Sequence, residues 1–296
     1  ATLDNVLIKN NRITGPQNGI RFGEFGKSNA TPTNVTLEGN DLSFAFANKA
    51  VISRINANIN LLCNWHGSTD LVTIWSKLTQ ASIGQLVLNS ILNSGGDGNV
   101  AVGFQPSGTC ECASGNLVTN TNTAETFCTI QAAIDDADTQ NGDIIVVGPG
   151  TYVENILVHK EVKLRGNNYG INPNTSVRAA ESIIIPATSD PDPNSLTAVN
   201  IMYLTAAASN SEIDGFTFDG DNPVLTSTVN INGANIDAIE ALSAYDGTGG
   251  LTVSNNIVKN LSYAGMDFYN YFNGGAVTTD NYITNNKLDN ILPSEY

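Results

Sequence analysis

Short apolar runs, each three to five residues long, alternate with polar corners along most of the chain. The clearest series lies at 144–147, 151–153, 156–158 and 162–164. The corners between these runs, such as Gly148-Pro149-Gly150, are too brief for a series of hairpins. This pattern is typical of a chain that winds in coils, with each strand stacking on the equivalent strand of the next coil.

A short amphipathic helix is predicted just before this series, in the segment 126–137. Apolar residues recur there at three- and four-residue spacing, namely Phe127, Ile130, Ala133, Ile134 and Ala137.

The helix and the strands together resemble a known family. The segment TIQAAIDDA…GDIIVVGPGTYVENILV…KEVKLRGNN is similar to the opening of a right-handed parallel β-helix of the pectin-lyase-like class. The resemblance implies an all-β solenoid with short capping helices, in which the first helix plugs the first coil and PGTYxE marks the first corner. The class includes lyases, hydrolases, esterases, tailspikes and adhesive stalks, so the resemblance predicts a fold and leaves the function open.

A phrase made of a strand and an asparagine-containing corner recurs at 5–13, 34–42, 59–64, 251–257 and 281–288. Asparagines at the same corner of successive coils can stack, with each amide satisfying backbone groups of its neighbour. The predicted ladder and corner residues are Asn11, Asn40, Asn64, Asn168, Asn255 and Asn285.

The segment 64–78 interrupts this rhythm and is interpreted as a closing cap. Ser68, Thr69 or Asp70 would begin a helix, and Val72, Trp75 and Leu78 would share its buried face.

The predicted domain order is the C-terminal coils and closing cap of one β-helix at 1–104, a linker at 105–124, and the opening cap and N-terminal coils of a second β-helix at 125–296. Joining the two ends of the sequence keeps the coil rhythm, because Asn11 would follow Asn286 by about 21 residues. We therefore expect one repeat of a tandem array, cut within a solenoid. The alternative is a single two-lobed protein whose first lobe lacks an opening cap.

Charge limits the classes of partner. Lys and Arg number 13 against 28 Asp and Glu, a formal net charge of −15. Such a surface repels phosphate backbones and anionic lipids and disfavours polyanionic substrates, so no nucleic-acid partner is expected. No run of 18 apolar residues and no signal peptide is found, so no membrane insertion is expected and any leader would have been removed or lie outside this sequence.

The four cysteines predict two disulfides and an oxidising, extracellular compartment. We favour the pairs Cys112–Cys128 and Cys63–Cys110, although three connectivities are open on the sequence alone.

Catalytic constellations known on this fold are not recognisable in the sequence, so the enzyme question stays open with a non-enzyme favoured. Asp135-Asp136 lies in the predicted helix and His66-Gly67 in the predicted closing cap. The second histidine, His159, is interpreted as a solvated turn residue. No arginine lies in a carboxylate-rich strand of the kind that a calcium-dependent lyase needs.

Two weaker candidate sites remain. Asp219 and Asp221 resemble half of a calcium loop, although a plain corner is the favoured interpretation and no other cofactor is expected. Tyr269 and Tyr271 belong to an aromatic stretch that is a candidate sugar-stacking face.

The sequence as a whole predicts a secreted structural or adhesive module that forms a cell-surface stalk or extracellular filament by head-to-tail or tandem repetition. The phrases CNWxG, VGFQP…C and TIQAAID…NGD resemble repeated modules of large surface proteins of Bacteroidetes-type bacteria. Expected partners are copies of the chain itself and surface glycans. The alternatives are a polysaccharide lyase or hydrolase, or a carbohydrate-binding module, on the same fold.

Overall fold

Short strands are the main regular secondary structure in the computed structural model, which describes residues 4–15, 17–28, 32–80, 86–113, 117–245, 247–269 and 280–292. The all-β class predicted from the sequence is confirmed for these residues. The chain divides into two units, residues 1–113 and 114–296.

The described residues of the first unit form nine short strands and one helix. They are β1 (Leu7–Lys9), β2 (Ile20–Phe22), β3 (Val35–Glu38), β4 (Val51–Ser53), β5 (Ile59–Leu62), α1 (Leu71–Ser76), β6 (Leu78–Gln80), β7 (Leu86–Leu88), β8 (Ser90–Leu92) and β9 (Cys110–Cys112).

Successive strands of the first unit go alternately to two parallel sheets, β1-β3-β5-β7 and β2-β4-β6. We call one passage of the chain through the sheets of a unit a pass. Equivalent residues of successive passes align in register, as Leu37 does with Leu61 and Leu61 with Leu88. Leu37 and Leu61 are fully buried, so each pass contributes one layer to a continuous apolar core.

Helix α1 begins at Asp70, whose carboxylate accepts a hydrogen bond from the backbone N–H of Thr73 at 2.8 Å. It buries Ile74 and Trp75, whereas Val72, predicted on the buried face, is 56% exposed. Strands β6 and β7 extend both parallel sheets beyond the helix. The prediction that the sheets end at a cap at 64–78 is therefore wrong, because the helix is an insertion between passes.

The predicted linker at 105–124 contains two strands. β9 pairs antiparallel with β8, and β10 (Val118–Asn120) pairs antiparallel with two later strands. The pairings of β9 with β8 and of β10 with its later partner at 145–147 join residues about 20 or more positions apart, so local composition alone favoured a linker.

The second unit opens with β10, β11 (Glu125–Phe127) and α2 (Ile130–Asp135). Its remaining elements are β12 (Asp143–Val147), β13 (Gly150–Val153), β14 (Ile156–Val158), β15 (Val162–Arg165), β16 (Ser182–Ile185), β17 (Asn200–Leu204), a 3-10 turn (Ala206–Ala208), β18 (Glu212–Asp214), β19 (Thr217–Asp219), β20 (Asn230–Ile231), β21 (Ala234–Asn235), β22 (Glu240–Tyr245), β23 (Thr252–Ser254), β24 (Ile257–Leu261), β25 (Ala264–Tyr269), β26 (Tyr282–Thr284) and β27 (Lys287–Ile291).

Successive strands of the second unit belong in turn to three different sheets. The parallel series are β12-β15-β18-β23-β26, β13-β16-β19-β24-β27 and β14-β17-β22-β25. The inward residues of the three sheets form one apolar cluster that includes Ile145, Leu164, Ile213 and Val253, all fully buried. β20 and β21 form a small antiparallel excursion between β19 and β22.

Helix α2 is held at the start of the second unit by Glu154, the acidic residue of the PGTYxE motif. Its carboxylate accepts hydrogen bonds from the backbone N–H groups of Ile130 and Gln131, both at 2.9 Å, and Thr129 caps the N–H of Ala132. The first turn of a helix leaves N–H groups without intrahelical partners, so this carboxylate replaces the missing acceptors. Burial nevertheless raises the pKa of Glu154 to about 7, which these two hydrogen bonds oppose.

Replacing Glu154 with alanine should destabilise the second unit by about 3 kcal/mol, because two buried N–H groups lose their acceptor. Urea unfolding followed by far-UV circular dichroism would measure the change. Glu161→Ala is the matched control, since the half-buried Glu161 side chain makes no hydrogen bond among the described residues. Equal stability of both variants would contradict the capping role.

Candidate functional site

An asparagine ladder holds the passes of the first unit together. The backbone N–H and the side-chain Nδ2 of Asn11 both donate to Oδ1 of Asn40, at 2.9 and 3.0 Å. The same two groups of Asn40 donate to Oδ1 of Asn64, at 2.9 and 3.0 Å. Asn40 and Asn64 are fully buried, so these hydrogen bonds form away from water, where an unmade bond is costly.

The side chains of Asn40 and Asn64 also bond back to the preceding pass. Asn40 Nδ2 donates to the carbonyl oxygen of Ile8, and Asn64 Nδ2 donates to that of Leu37, both at 2.8 Å. One amide therefore satisfies backbone groups that the strand ladders leave unpaired at the corner.

The second unit repeats this arrangement with Asn256 and Asn286. Asn256 donates from its backbone N–H and Nδ2 to Oδ1 of Asn286, at 2.9 and 3.1 Å, and accepts from the backbone N–H of Phe216. The predicted ladder residues Asn255 and Asn285 are each one position too early. They occupy the corner immediately before the ladder, with φ of 55° and 58°.

Left-handed backbone precedes the ladder residue in the first unit as well. The residues there are Asn10, Gly39 and Cys63, with φ of 57°, 61° and 50°. Asparagine and glycine adopt this conformation most readily, which explains the Asn-Asn and Gly-Asn doublets in the sequence.

Asn168 does not belong to the ladder. Its Oδ1 accepts from the backbone N–H of Ala179 at 2.8 Å and its Nδ2 donates to the carbonyl oxygen of the same residue. The side chain therefore closes a loop within its own pass instead of joining two passes.

All four cysteines are disulfide-bonded, as the sequence predicts for an oxidising compartment. The structure contains a Cys63–Cys110 bond with a Cα–Cα distance of 5.2 Å. Since Cys63 forms the left-handed corner before Asn64, this bond fixes β9 beside the ladder of the first unit. Cys112 and Cys128 are disulfide-bonded as well.

The two histidines lie in different environments. His66 is fully buried, and neither ring nitrogen has a hydrogen-bond partner in the part of the chain that the structure describes. Burial, together with the nearby Lys77 ammonium, lowers its pKa to about 4. His159 is partly exposed, with its Nε2 2.7 Å from Oδ1 of Asp135 at the end of α2.

The candidate calcium residues lie at the corner after β19. Oδ2 of Asp219 is 2.8 Å from the Lys259 ammonium, and Oδ1 accepts from Asn260 Nδ2 at 2.7 Å. Burial and the Asp219 charge raise the pKa of Asp221. These contacts make Asp219 part of a corner network, and calcium at this position stays a prediction.

A different set of carboxylates lies close together. Ligand atoms of Glu125, Asp136 and Asp138 fall within 4.8 Å of one another, beside α2. Sequence reasoning missed this group because Glu125 precedes α2 and the two aspartates follow it, so the linear pattern does not bring them together.

The candidate sugar-stacking residues Tyr269 and Tyr271 lie at the edge of a described segment. Tyr269 is the last residue of β25, and the structure describes its backbone alone. Tyr271 lies outside the described residues. Glycan binding at this stretch stays a prediction.

No family model and no solved structure matches the chain. A protein named cell surface glycoprotein from Methanothermus fervidus is 34% identical over 152 residues, which is 51% of this chain and 19% of that relative. The chain thus aligns with about a fifth of the relative's length. The protein is extracellular or located at the cell surface, as this relative and the disulfide-bonded cysteines indicate. Among the described residues, no helix has the length and apolar character required to cross a membrane.

Replacing Asn40 with alanine should destabilise the first unit by about 3 kcal/mol, because buried groups of two neighbouring passes lose their partners. Both tryptophans, Trp65 and Trp75, lie in this unit, so urea unfolding followed by tryptophan fluorescence reports on it. The exposed Asn48 provides the matched control, and Asn48→Ala should change stability by less than about 0.5 kcal/mol. Similar losses in both variants would argue against the ladder.

Acidification should destabilise the first unit through His66. Its folded-state pKa of about 4 lies below the ordinary value of 6.5. The unfolded chain therefore binds the proton first, and stability falls as the pH drops from about 6.5 to about 4, by about 3 kcal/mol. His66→Phe should remove this fall in tryptophan-monitored unfolding, whereas His159→Asn should retain it. Parallel pH profiles for wild type and His66→Phe would contradict the assignment.

Proposed function

We propose that this protein is a structural module of an extended cell-surface assembly, built on a right-handed parallel β-helix. The rotation of strands among three parallel sheets supports the β-helix, since each pass adds one strand to every sheet in register. Crossovers between parallel strands of one sheet are right-handed in about 98% of cases, which favours the right-handed winding.

The asparagine ladder is the observation that carries the structural role. In both units it joins one pass to the next by the same hydrogen bonds at nearly the same distances. An architecture held by repeated nearest-neighbour contacts is lengthened simply by adding passes, and such solenoids build elongated proteins.

Other features suit a structural module outside the cell. Disulfides stabilise chains in an oxidising environment, and the formal net charge of −15 discourages unspecific association. The ion pair and hydrogen bond that engage Asp219 with Lys259 and Asn260 are typical of a structural corner.

Electron microscopy of the native protein, taken from the cell surface or culture medium, tests this proposal. We expect elongated assemblies with a regular axial repeat. Isolated particles without such a repeat would overturn the structural role, and depolymerisation assays on neutral and acidic glycans would then test the alternative of a glycan-cleaving enzyme.

A further inference from the structure

Four tripeptides of the form Asn-X-Ser/Thr occur in the chain, beginning at Asn29, Asn34, Asn174 and Asn260. This tripeptide, called a sequon, is the acceptor of N-linked glycans in exported proteins. Such glycans are bulky and polar, so they lie on surface segments. The sequon at 29–31 lies outside the described residues. The other three share one chemistry, and their surroundings decide which of them is accessible.

The sequon Asn174-Thr175-Ser176 lies on a loop between β15 and β16, and all three residues are exposed. The backbone N–H groups of Thr175 and Ser176 both donate to the carbonyl oxygen of Asn172, which makes this segment a turn. None of its residues belongs to a strand. The asparagine amide and the serine hydroxyl can therefore be reached together in the folded protein.

The amide of Asn174 can exchange one hydrogen for a sugar at little cost. Its Nδ2 lies 3.2 Å from Oδ1 of Asn172 and 3.3 Å from the carbonyl oxygens of Asn285 and Asn286. These distances exceed the usual value of about 2.9–3.0 Å, and three acceptors compete for two hydrogens. After glycosylation the remaining N–H can still donate to one of them.

Exposed apolar side chains occur on both sides of this sequon in the same loop. Val177 follows it directly and is 98% exposed, and Tyr169 and Ile171 are 46% and 37% exposed. Grouped apolar side chains in contact with water mark a surface that another group covers. A glycan attached to Asn174 would cover this segment with polar hydroxyl groups.

The sequon at Asn260 is part of the packing between passes. Its Nδ2 donates to Oδ1 of Asp219 and its Oδ1 accepts from Nδ2 of Asn290, both at 2.7 Å. Leu261 is fully buried, and the buried hydroxyl of Ser262 donates to a backbone carbonyl oxygen. A sugar on Asn260 would break these contacts, so this tripeptide is not available in the folded protein.

The sequon at Asn34 is accessible only at its asparagine. Asn34 is exposed, and its Nδ2 donates to Oδ1 of Asn5 at 2.9 Å. Val35 is fully buried, and Thr36 lies in β3, which pairs in parallel with β1 and β5. The strand would have to leave both neighbours before an enzyme could hold the asparagine and the hydroxyl together.

We propose that Asn174 is an N-glycosylation site of the folded protein and that Asn34 and Asn260 stay unmodified. The donor is an oligosaccharide activated as a lipid-linked phosphate ester, and a transferase of the cell catalyses the step. Nδ2 of Asn174 attacks the anomeric carbon. The new N–C bond forms as the bond from that carbon to the phosphate oxygen breaks, and the lipid phosphate leaves with the electron pair. Nδ2 loses one proton, and nothing is oxidised or reduced.

Mass spectrometry of the native protein, taken from the cell surface or culture medium, tests this site. Trypsin cleaves after Arg165 and Arg178, so the peptide 166–178 contains the Asn174 sequon and no other. Fragmentation that leaves side-chain sugars in place should show a sugar on Asn174 and none on Asn34 or Asn260. An unmodified Asn174, or a sugar on either of the other two, would overturn the proposal.

Two variants produced in the native cells test whether the sequon itself is read. Ser176→Ala removes the required hydroxyl and should lose the glycan from the peptide 166–178. Thr175→Ala is the matched control, because it removes a neighbouring exposed hydroxyl at the position where the sequon accepts almost any residue. It should keep the glycan. Retention in Ser176→Ala, or loss in both variants, would overturn the assignment.

This site does not depend on the structural role proposed above. Glycosylated Asn174 in isolated particles would overturn the extended assembly and leave the site standing. Elongated assemblies with an unmodified Asn174 would do the reverse.

Discussion

The parallel stacking depends on one group in each pass, the backbone N–H of the ladder asparagine that follows the left-handed corner residue. Strand pairing satisfies the groups within the sheets, but the chain must turn between sheets within one or two residues, and the N–H of the ladder position then has no backbone partner. The amide of the next pass provides the acceptor, and its own hydrogens bond both neighbouring passes. Because a buried N–H without a partner costs about 1–3 kcal/mol, few side chains can replace asparagine at these positions.

Two other buried polar side chains, Glu154 and His66, differ in whether they have hydrogen-bond partners. Glu154 buries a carboxyl group but directs it at two helix N–H groups, so these hydrogen bonds anchor α2 to the first strands of the second unit. His66 buries an imidazole without any partner among the described residues and stays neutral at the cost of stability in acid. Glu154 supports the fold directly, whereas His66 makes the first unit sensitive to pH.

The ladder also has a direction. Along each unit the backbone N–H points towards the next pass and the side-chain oxygen towards the previous one, so one end of a ladder offers donors and the other an acceptor.

The sequence by itself determined the local features: the strands from β12 to β15, the asparagine corners of the first unit, a helix cap among Ser68, Thr69 and Asp70, and the presence of disulfides. These follow from short-range rules of apolar spacing, backbone conformation and cysteine number. Only the tertiary structure decided which asparagine of the 255–256 and 285–286 pairs joins the ladder, because both residues suit a corner and stacking selects one. It also decided that Val72 faces solvent, that Asn168 closes its own loop and that β9 and β10 lie within the predicted linker. The ladder and most of the strand pairings depend on residues in other passes, whose positions local composition does not encode.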